Sequence, residues 1–421
     1  MTASQHPFAY RDFRFYWAAR LCSNLAQNAM VVVIGWQVYD IARQTMGIKA
    51  AAFQLGLIGL AQFAPLFALT LITGWTADRV DRKLISQGCL SLQMFCAGML
   101  AWLNHSGHIA LPSLFAVAVL LGIARAFSMP ALSALGPNLV PLHVLPRAIA
   151  SNSIAGRVGG ILGPAMGGYL YAWTSAAPYA TSAGLFAVAL ICTLIIHPIE
   201  RTMMDRSRNP WRQMVEGLAY VRHNRLVLGA ISLDLFAVLL GGATAMLPVF
   251  AYDILHVGPA GLGHLRAAPA AGALLTAGWF AWRPLRHNVG AKMLASVAVF
   301  GVATIGFGLS RWVPLSLACL AVLGAADMLS VYVRQSLIQL STPNEMRGRV
   351  GAVSSLFVSA SNELGEAESG FLAALIGPVT AVIAGGVGAV LITLLWAKWF
   401  PSLRQARSFE EARPSSNRIS Q

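Results

Sequence analysis

Charge is what this chain has least of. Only 11% of its 421 residues are Asp, Glu, Lys or Arg, while 57% are hydrophobic and the mean hydropathy is +0.63. A soluble domain carries roughly 25% charged residues, so this composition excludes an ordinary solvated globule and calls for a bilayer. Acids are the scarcer sign, 16 against 30 cations, leaving a formal charge of +14. In a soluble protein that excess would raise nucleic-acid binding. Here the arginines sit between long apolar runs and read as membrane topology, so no nucleic-acid partner is expected. Cys22, Cys89, Cys96, Cys192 and Cys319 all lie inside apolar segments, without metal-like spacing. His105, His108, His143, His197, His223, His256, His264 and His287 fall at expected helix ends or loops. No metal is therefore expected. No Gly-rich loop runs into Lys-Ser or Lys-Thr, so ATP drive is not expected either, nor any other cofactor. Residues 1–10 are polar, and Arg11, Asp12 and Arg14 directly precede the first apolar run. A cleaved signal is not expected, and that run should stay as a membrane helix.

What is present is a series of apolar runs. A helix needs roughly 20 apolar residues to cross the hydrocarbon core. Twelve such spans are read, at 14–40, 51–73, 84–104, 110–132, 148–172, 179–197, 226–252, 260–282, 289–310, 313–337, 349–373 and 378–400. Lys and Arg in the short loops set the orientation. One side collects Arg11, Arg14, Arg79, Arg82, Lys83 and Arg147, the many arginines of 201–225, then Arg283, Arg286, Lys292, Arg347, Arg349 and the cations after Lys398. The other side receives only Arg43, Lys49 and Arg311. Both termini are thus expected in the cytoplasm, with the chain in the inner membrane. The connection 198–225 reads as a cytoplasmic linker. Trp211, Val215, Leu218, Ala219 and Val221 recur near helical spacing, which suggests an amphipathic helix on the inner face that tethers and carries no chemistry. The tail 401–421, with Ser, Arg and Pro, is expected to be disordered.

The stretch from Leu121 to Ala172 is written twice. A step of 202 residues carries Gly122 to Gly324, Pro141 to Pro343, Arg147 to Arg349, Gly163 to Gly365 and Gly168 to Gly370, with no gap. Abundant Gly could coincide by chance, but Pro and Arg are scarce. Two alike, mostly apolar halves are the pattern of parallel repeats in secondary transporters. The halves are read as bundles 1–197 and 226–400.

Two motifs sharpen this reading. Between the second and third spans stands Gly74-Trp75-Thr76-Ala77-Asp78-Arg79-Val80-Asp81-Arg82-Lys83. Gly permits a sharp exit from a helix, and an acid followed by three cations builds a charged latch at the water boundary. In the fifth span comes Gly159-Gly160-Ile161-Leu162-Gly163-Pro164-Ala165-Met166-Gly167-Gly168. Small residues one turn apart let helices approach closely, and Pro kinks the ladder.

The first motif resembles the G-x-x-x-D-R-x-x-R-K loop of the major facilitator superfamily. The second resembles the G-x-x-x-G-P-x-x-G-G signature of its drug:proton antiporters. Over nearly its full length the chain is similar to the third such family, which holds macrolide efflux proteins and enterobactin exporters. The resemblance implies an all-α membrane protein with the major facilitator fold, twelve helices in two pseudo-symmetric six-helix bundles, working as a monomer on a small-molecule substrate. It also implies a gating role for Gly74, Asp78, Arg79, Arg82 and Lys83, and a helix-packing role for Gly159, Gly163, Pro164, Gly167 and Gly168. The second half departs from both motifs. Trp282 stands where the acid would be, and Gly365-Glu366-Ala367-Glu368-Ser369-Gly370 replaces Pro with acids.

A charge at mid-bilayer costs at least ~2.5–3.5 kcal/mol on insertion scales, so each one needs a partner, water or a purpose. Arg20, Asn24 and Asn28 stand four apart with Gln27 beside them, a polar stripe expected to line a central cavity. Arg125 and Asp327 are related by the 202-residue step and are expected to face each other across it. Coupling to protons needs a carboxyl in the apolar interior that loads from one side and unloads to the other. Asp327 or Glu366 is the candidate, then Asp234. Glu363 shares a face with Glu366 at a spacing of three. Arg157, Arg266 and Arg334, with Arg125, make the interior cationic and favour an anionic or amphipathic substrate. The reading is of a proton-coupled exporter of a drug or siderophore. An uptake symporter and a non-transporting membrane sensor or scaffold are its alternatives, and no enzyme chemistry is expected.

Overall fold

The computed structural model describes residues 6–79, 81–141, 143–197, 210–283, 285, 287–343 and 346–409, with side chains except at 70–79, 129, 130, 134, 210–213 and 363. Among the described residues there is no strand. The helices are α1 (Arg11–Thr45), α2 (Ile48–Arg79), α3 (Arg82–His105), α4 (Leu111–Leu135), α5 (Leu145–Trp173), α6 (Ala177–Ile195), α7 (Pro210–His223), α8 (Arg225–Leu240) and the short α9 (Leu247–Val249). They continue as α10 (Gly258–Trp282), α11 (Val289–Leu309), α12 (Val313–Ser341), α13 (Arg347–Ile376), α14 (Pro378–Trp399) and the short α15 (Pro401–Arg404).

Local chemistry starts several of them. The Asp81 side chain accepts from the Lys83 backbone N–H at 2.8 Å to cap α3, and Asn224 accepts from Leu226 and Val227 at 3.1 and 3.2 Å to cap α8. Pro opens α4, α6, α12 and α14, where its missing N–H costs nothing. Eight helical stretches among the described residues are long and apolar enough to cross a membrane by length and composition. The helices α1, α5, α10 and α13 also fill expected spans, but glycine, polar and charged residues dilute their apolar windows below that level. Residue size follows a membrane logic. On α5 the buried positions are small, Ala155, Gly159, Gly163 and Gly167, while Ile154 and Leu162 are exposed. Close packing inside and bulk toward lipid is how bilayer helices associate.

The expected span 226–252 is not one helix. Gly241 and Gly242 end α8, a 3₁₀ turn follows at Ala243–Met246, and Pro248 removes a donor before a π turn at Phe250–Ile254. Gly disfavours helix and Pro cannot donate, so the pattern of apolar residues survives while the helical ladder does not.

By packing, the chain forms two compact units. Unit 1 comprises Met1–Gly47, Ile58–Arg206 and Phe250–Ala267; unit 2 comprises Ile48–Leu57, Ser207–Val249 and Ala268–Gln421. The ends of α2 and α10 thus pack with helices of the opposite sequence half. In unit 2, α7 docks on α13 rather than lying free on a surface. Glu216 pairs with Arg349 at 2.7 Å, Tyr220 donates to the Ser341 carbonyl at 2.9 Å and Val221 is buried. The tail departs from the expected disorder through residue 409. Asn288 and Gly290 donate to the carbonyls of Arg407 and Ala406, and Leu403 is fully buried. Leu403 and Phe400 supply the apolar anchors that a purely compositional reading of Ser, Arg and Pro overlooks. Residues 410–421 lie outside the described residues.

Candidate functional site

Unit 2 holds a buried charge cluster. Asp327, Ser330 and Arg334 are spaced three and four apart on α12, which puts them on one face. Asp234, on the facing α8, is ion-paired with Arg334, and the two side chains are 5% and 2% exposed. Asp327 lines the same small cavity as Asp234. Two carboxylates and one guanidinium leave one negative charge in excess when all are ionised. The Ser330 hydroxyl, in a residue 3% exposed, has no hydrogen-bond partner. A small, mostly apolar cavity of about 10 Å³, room for about one water, lies here, lined by Asp234, Val238, Val297, Phe300, Asp327 and Ser330 among others. The glycine break that ends α8 lies one turn further on, and the Phe300 ring fills the space a Cβ at Gly241 would need. Two consecutive glycines therefore let the chain bend beside the cavity.

Unit 1 holds a second cluster of different character, at the end of α1. Arg43 forks onto both oxygens of Asp253, each at 3.1 Å, and the Tyr39 hydroxyl donates to the same carboxylate. Arg43 also donates to the Met46 carbonyl at 2.8 Å. Tyr252 stacks obliquely on Trp36 and its hydroxyl meets Asp40. These groups are only partly covered, 23% exposure for Arg43 and 15% for Asp253. Sequence reading missed Asp253 because the expected span stopped at 252. The available signal was Arg43 itself, one of three cations on the Arg-poor side.

The other expected site residues are placed as follows. Arg20 donates to Asn152 on α5 at 3.2 Å, Gln27 to Ser23 at 3.2 Å, and Asn28 to the Asn24 carbonyl at 2.8 Å. The Asn24 amide nitrogen is buried with no hydrogen-bond partner. Asn24 and Asn28 seat against Gly159 and Gly163, where a Cβ would come within 2.6 and 2.8 Å, so this part of the stripe lies in the α1–α5 seam. Gly167 meets the Ala29 carbonyl in the same seam, and Pro164 is buried. Gly168 instead packs against the α10 backbone, where an added Cβ would come within 2.4 Å of the Pro259 carbonyl and 3.2 Å of Gly263. Its partner by the 202-residue step, Gly370 of α13, meets Gly56 of α2 in unit 2. The repeat is thus visible in packing as two matching glycine crossings.

Arg125 is half-buried in unit 1, and Glu366 is half-buried in unit 2. The Glu363 side chain lies outside those described, as do the side chains of Asp78 and Arg79. Arg82 is half-buried. Lys83 donates to the Leu194 and Ile196 carbonyls at 3.3 and 2.5 Å, closing the end of α6. Arg334, read as one of the interior cations, is among the most buried side chains and is matched to Asp234. Its burial needs a carboxylate on a different helix, which spacing along one helix does not reveal.

Long apolar helices, an internal repeat expressed in paired glycine crossings, and buried charge beside a cavity define a multi-pass membrane transporter of the major facilitator type. The fold agrees with solved members. The chain superposes on the inward-open xylose transporter XylE of E. coli with a TM-score of 0.69 at 14% identity, covering 95% of this chain and 99% of that one. A bacterial homolog of the human lysosomal transporter Spinster, inward-facing and occupied, gives 0.71 at 15%, covering 96% and 99%. A family model described as transmembrane secretion effector matches residues 2–419, and the chain belongs to that family. Among curated proteins it is 26% identical to the enterobactin exporter EntS of Citrobacter koseri, across 94% of this chain and 93% of that protein. The same identity and coverage hold for the enterobactin exporter EntS of Escherichia coli O1:K1 / APEC.

Proposed function

We propose that the chain exports a small amphipathic molecule, a siderophore or a drug, in exchange for protons, by alternating access between its two six-helix halves. The supporting observation is the unbalanced cluster of Asp234, Asp327 and Arg334 beside the unit 2 cavity. An apolar interior does not tolerate an uncompensated negative charge, so one proton is the smallest addition that neutralises the set. Asp327 is the acid left over once Asp234 is matched to Arg334, and it is the proton carrier in this reading. Glu366 is the next candidate. Opening toward one side loads the carboxyl, and opening toward the other, with cargo, unloads it.

Export follows the named activity of the 26%-identical relatives. Half-buried Arg125, Arg157 and Arg266 suit an anionic or amphipathic cargo. Arg20 and Gln27 extend the proposed cargo surface. In this reading both termini face the cytoplasm and the chain sits in an inner membrane as a monomer. Asp78, Arg79 and Arg82 would latch the cytoplasmic side, and Arg43 with Asp253 the exterior side.

Purified protein in liposomes under an imposed pH gradient tests the proposal, with enterobactin and a macrolide as cargo. Asp327→Asn should abolish gradient-driven movement, with smaller losses for Asp234→Asn and Glu366→Gln. Undiminished export by all three variants would overturn the coupling scheme. Cellular substrate that falls when the gene is deleted would reverse the direction to uptake.

A further inference from the structure

We propose that the outer face of α7 binds anionic phospholipid, its arginine taking the phosphate headgroup and its apolar side chains entering the layer beneath. The proposal stands apart from proton coupling and needs only that the chain spans a bilayer. The inner face of α7 is packed within unit 2. Val221 belongs to a buried cluster with Val227 and Ile231 of α8, Ile338 of α12, and Val350 and Val353 of α13, and Tyr220 packs against it. Gly217 lies on the α13 backbone, where an added Cβ would come within 2.9 Å of the Arg349 carbonyl oxygen. The one acid of α7, Glu216, is taken by Arg349.

The opposite face has another composition. Val215, Leu218, Ala219 and Arg222 stand at i, i+3, i+4 and i+7, one stripe along a helix, and all four are exposed. Val215 and Leu218 keep 51% and 48% of their surface uncovered. Such a pair is a liability in water and an anchor in a headgroup layer. The surroundings of α7 place it at that layer. Tyr220 donates to the carbonyl of Ser341, the last residue of α12; Glu216 pairs with the first turn of α13; and Arg225, two residues past α7, opens α8. Three membrane helices therefore begin or end at α7, at the edge of the hydrocarbon core. Charge then selects the lipid. Arg225 and Arg347, exposed at the first residues of α8 and α13, add to Arg222, and residues 198–225 hold six arginines against three acids. A cation cluster at this depth favours anionic over zwitterionic headgroups.

Thermal unfolding of the detergent-purified full chain, titrated with phosphatidylglycerol, phosphatidylcholine or glycerol 3-phosphate, reads the site. A saturable rise in Tm with phosphatidylglycerol alone is expected by mass action. Arg222→Gln with Arg225→Gln should raise the half-saturating phosphatidylglycerol concentration by roughly tenfold. Val215→Gln with Leu218→Gln should raise it as well, and both variants should melt like the unaltered protein when no lipid is added. Lys398→Gln with Arg404→Gln, which removes exposed cations of α14 and α15, should leave the titration unchanged. Equal shifts with the two lipids, an α7 variant whose titration overlays the unaltered protein, or an equal loss from the Lys398 and Arg404 variant would overturn the proposal. So would an equal response to glycerol 3-phosphate, which would make the arginines a soluble phosphate site. A change of mass in light scattering on replacing Val215 and Leu218 would assign the face to a second copy of the chain and overturn it too.

Discussion

Units 1 and 2 each pair an arginine with acids, yet the two clusters differ in burial and in charge balance. Arg43 and Asp253 are matched one to one, braced by Tyr39, and lie partly in reach of water. Arg334 is matched to Asp234 almost without exposure, and Asp327 stands beside them as a surplus charge. A balanced, half-covered pair forms and breaks at low cost, which suits a latch. A buried, unbalanced set is the arrangement that the proposed proton coupling requires.

The largest effect that would sharpen this contrast comes from the arginines. Arg334→Met leaves two acids together in an apolar interior and should destabilise the protein by about 3–5 kcal/mol, the usual result of breaking a buried pair. Adding Asp234→Asn to Arg334→Met should recover part of that loss. Arg43→Met should cost far less, and equal losses in thermal unfolding would erase the distinction.

The glycine crossings come next. At Gly370 and Gly168 an added side chain meets backbone, whereas at Gly156 it meets open space. Gly370→Val and Gly168→Val should each cost about 1–3 kcal/mol or more by overpacking, with Gly156→Val close to neutral. If the two crossings respond very differently, the repeat is not mechanically equivalent in the two units. Smallest is the latch itself. Asp253→Asn should change stability by only about 0.2–1 kcal/mol, and the change should shrink in high salt. A salt-independent loss of several kcal/mol would make the pair a structural staple.

Much of the fold was legible because membrane helices must satisfy their own backbone, and long apolar runs announce them. Each expected span except 226–252 coincides with one helix, and the 202-residue step reappears as the paired contacts of Gly168 and Gly370. The interruption after Leu240 was not legible, since Gly241, Gly242 and Pro248 punctuate a run whose hydropathy is uninterrupted. The order through residue 409 was missed for the converse reason, a polar composition that conceals Leu403 as an anchor. At the sites, Asp234 and Asp327 stood out as acids where acids are costly. What placed Arg334 with them, and Asp253 with Arg43, is contact between helices far apart in sequence. The α1 stripe was visible as a pattern, but α5's glycines decide which of its members sit in a seam.

The most direct measurement is the proton released when cargo binds. Detergent-purified protein in weakly buffered, sodium-free solution, mixed with substrate, should release about one proton per molecule bound, and Asp327→Asn should release none while still binding. Equal release from the unaltered protein and Asp327→Asn would place the coupling charge elsewhere and remove the unit 2 cluster from the transport cycle.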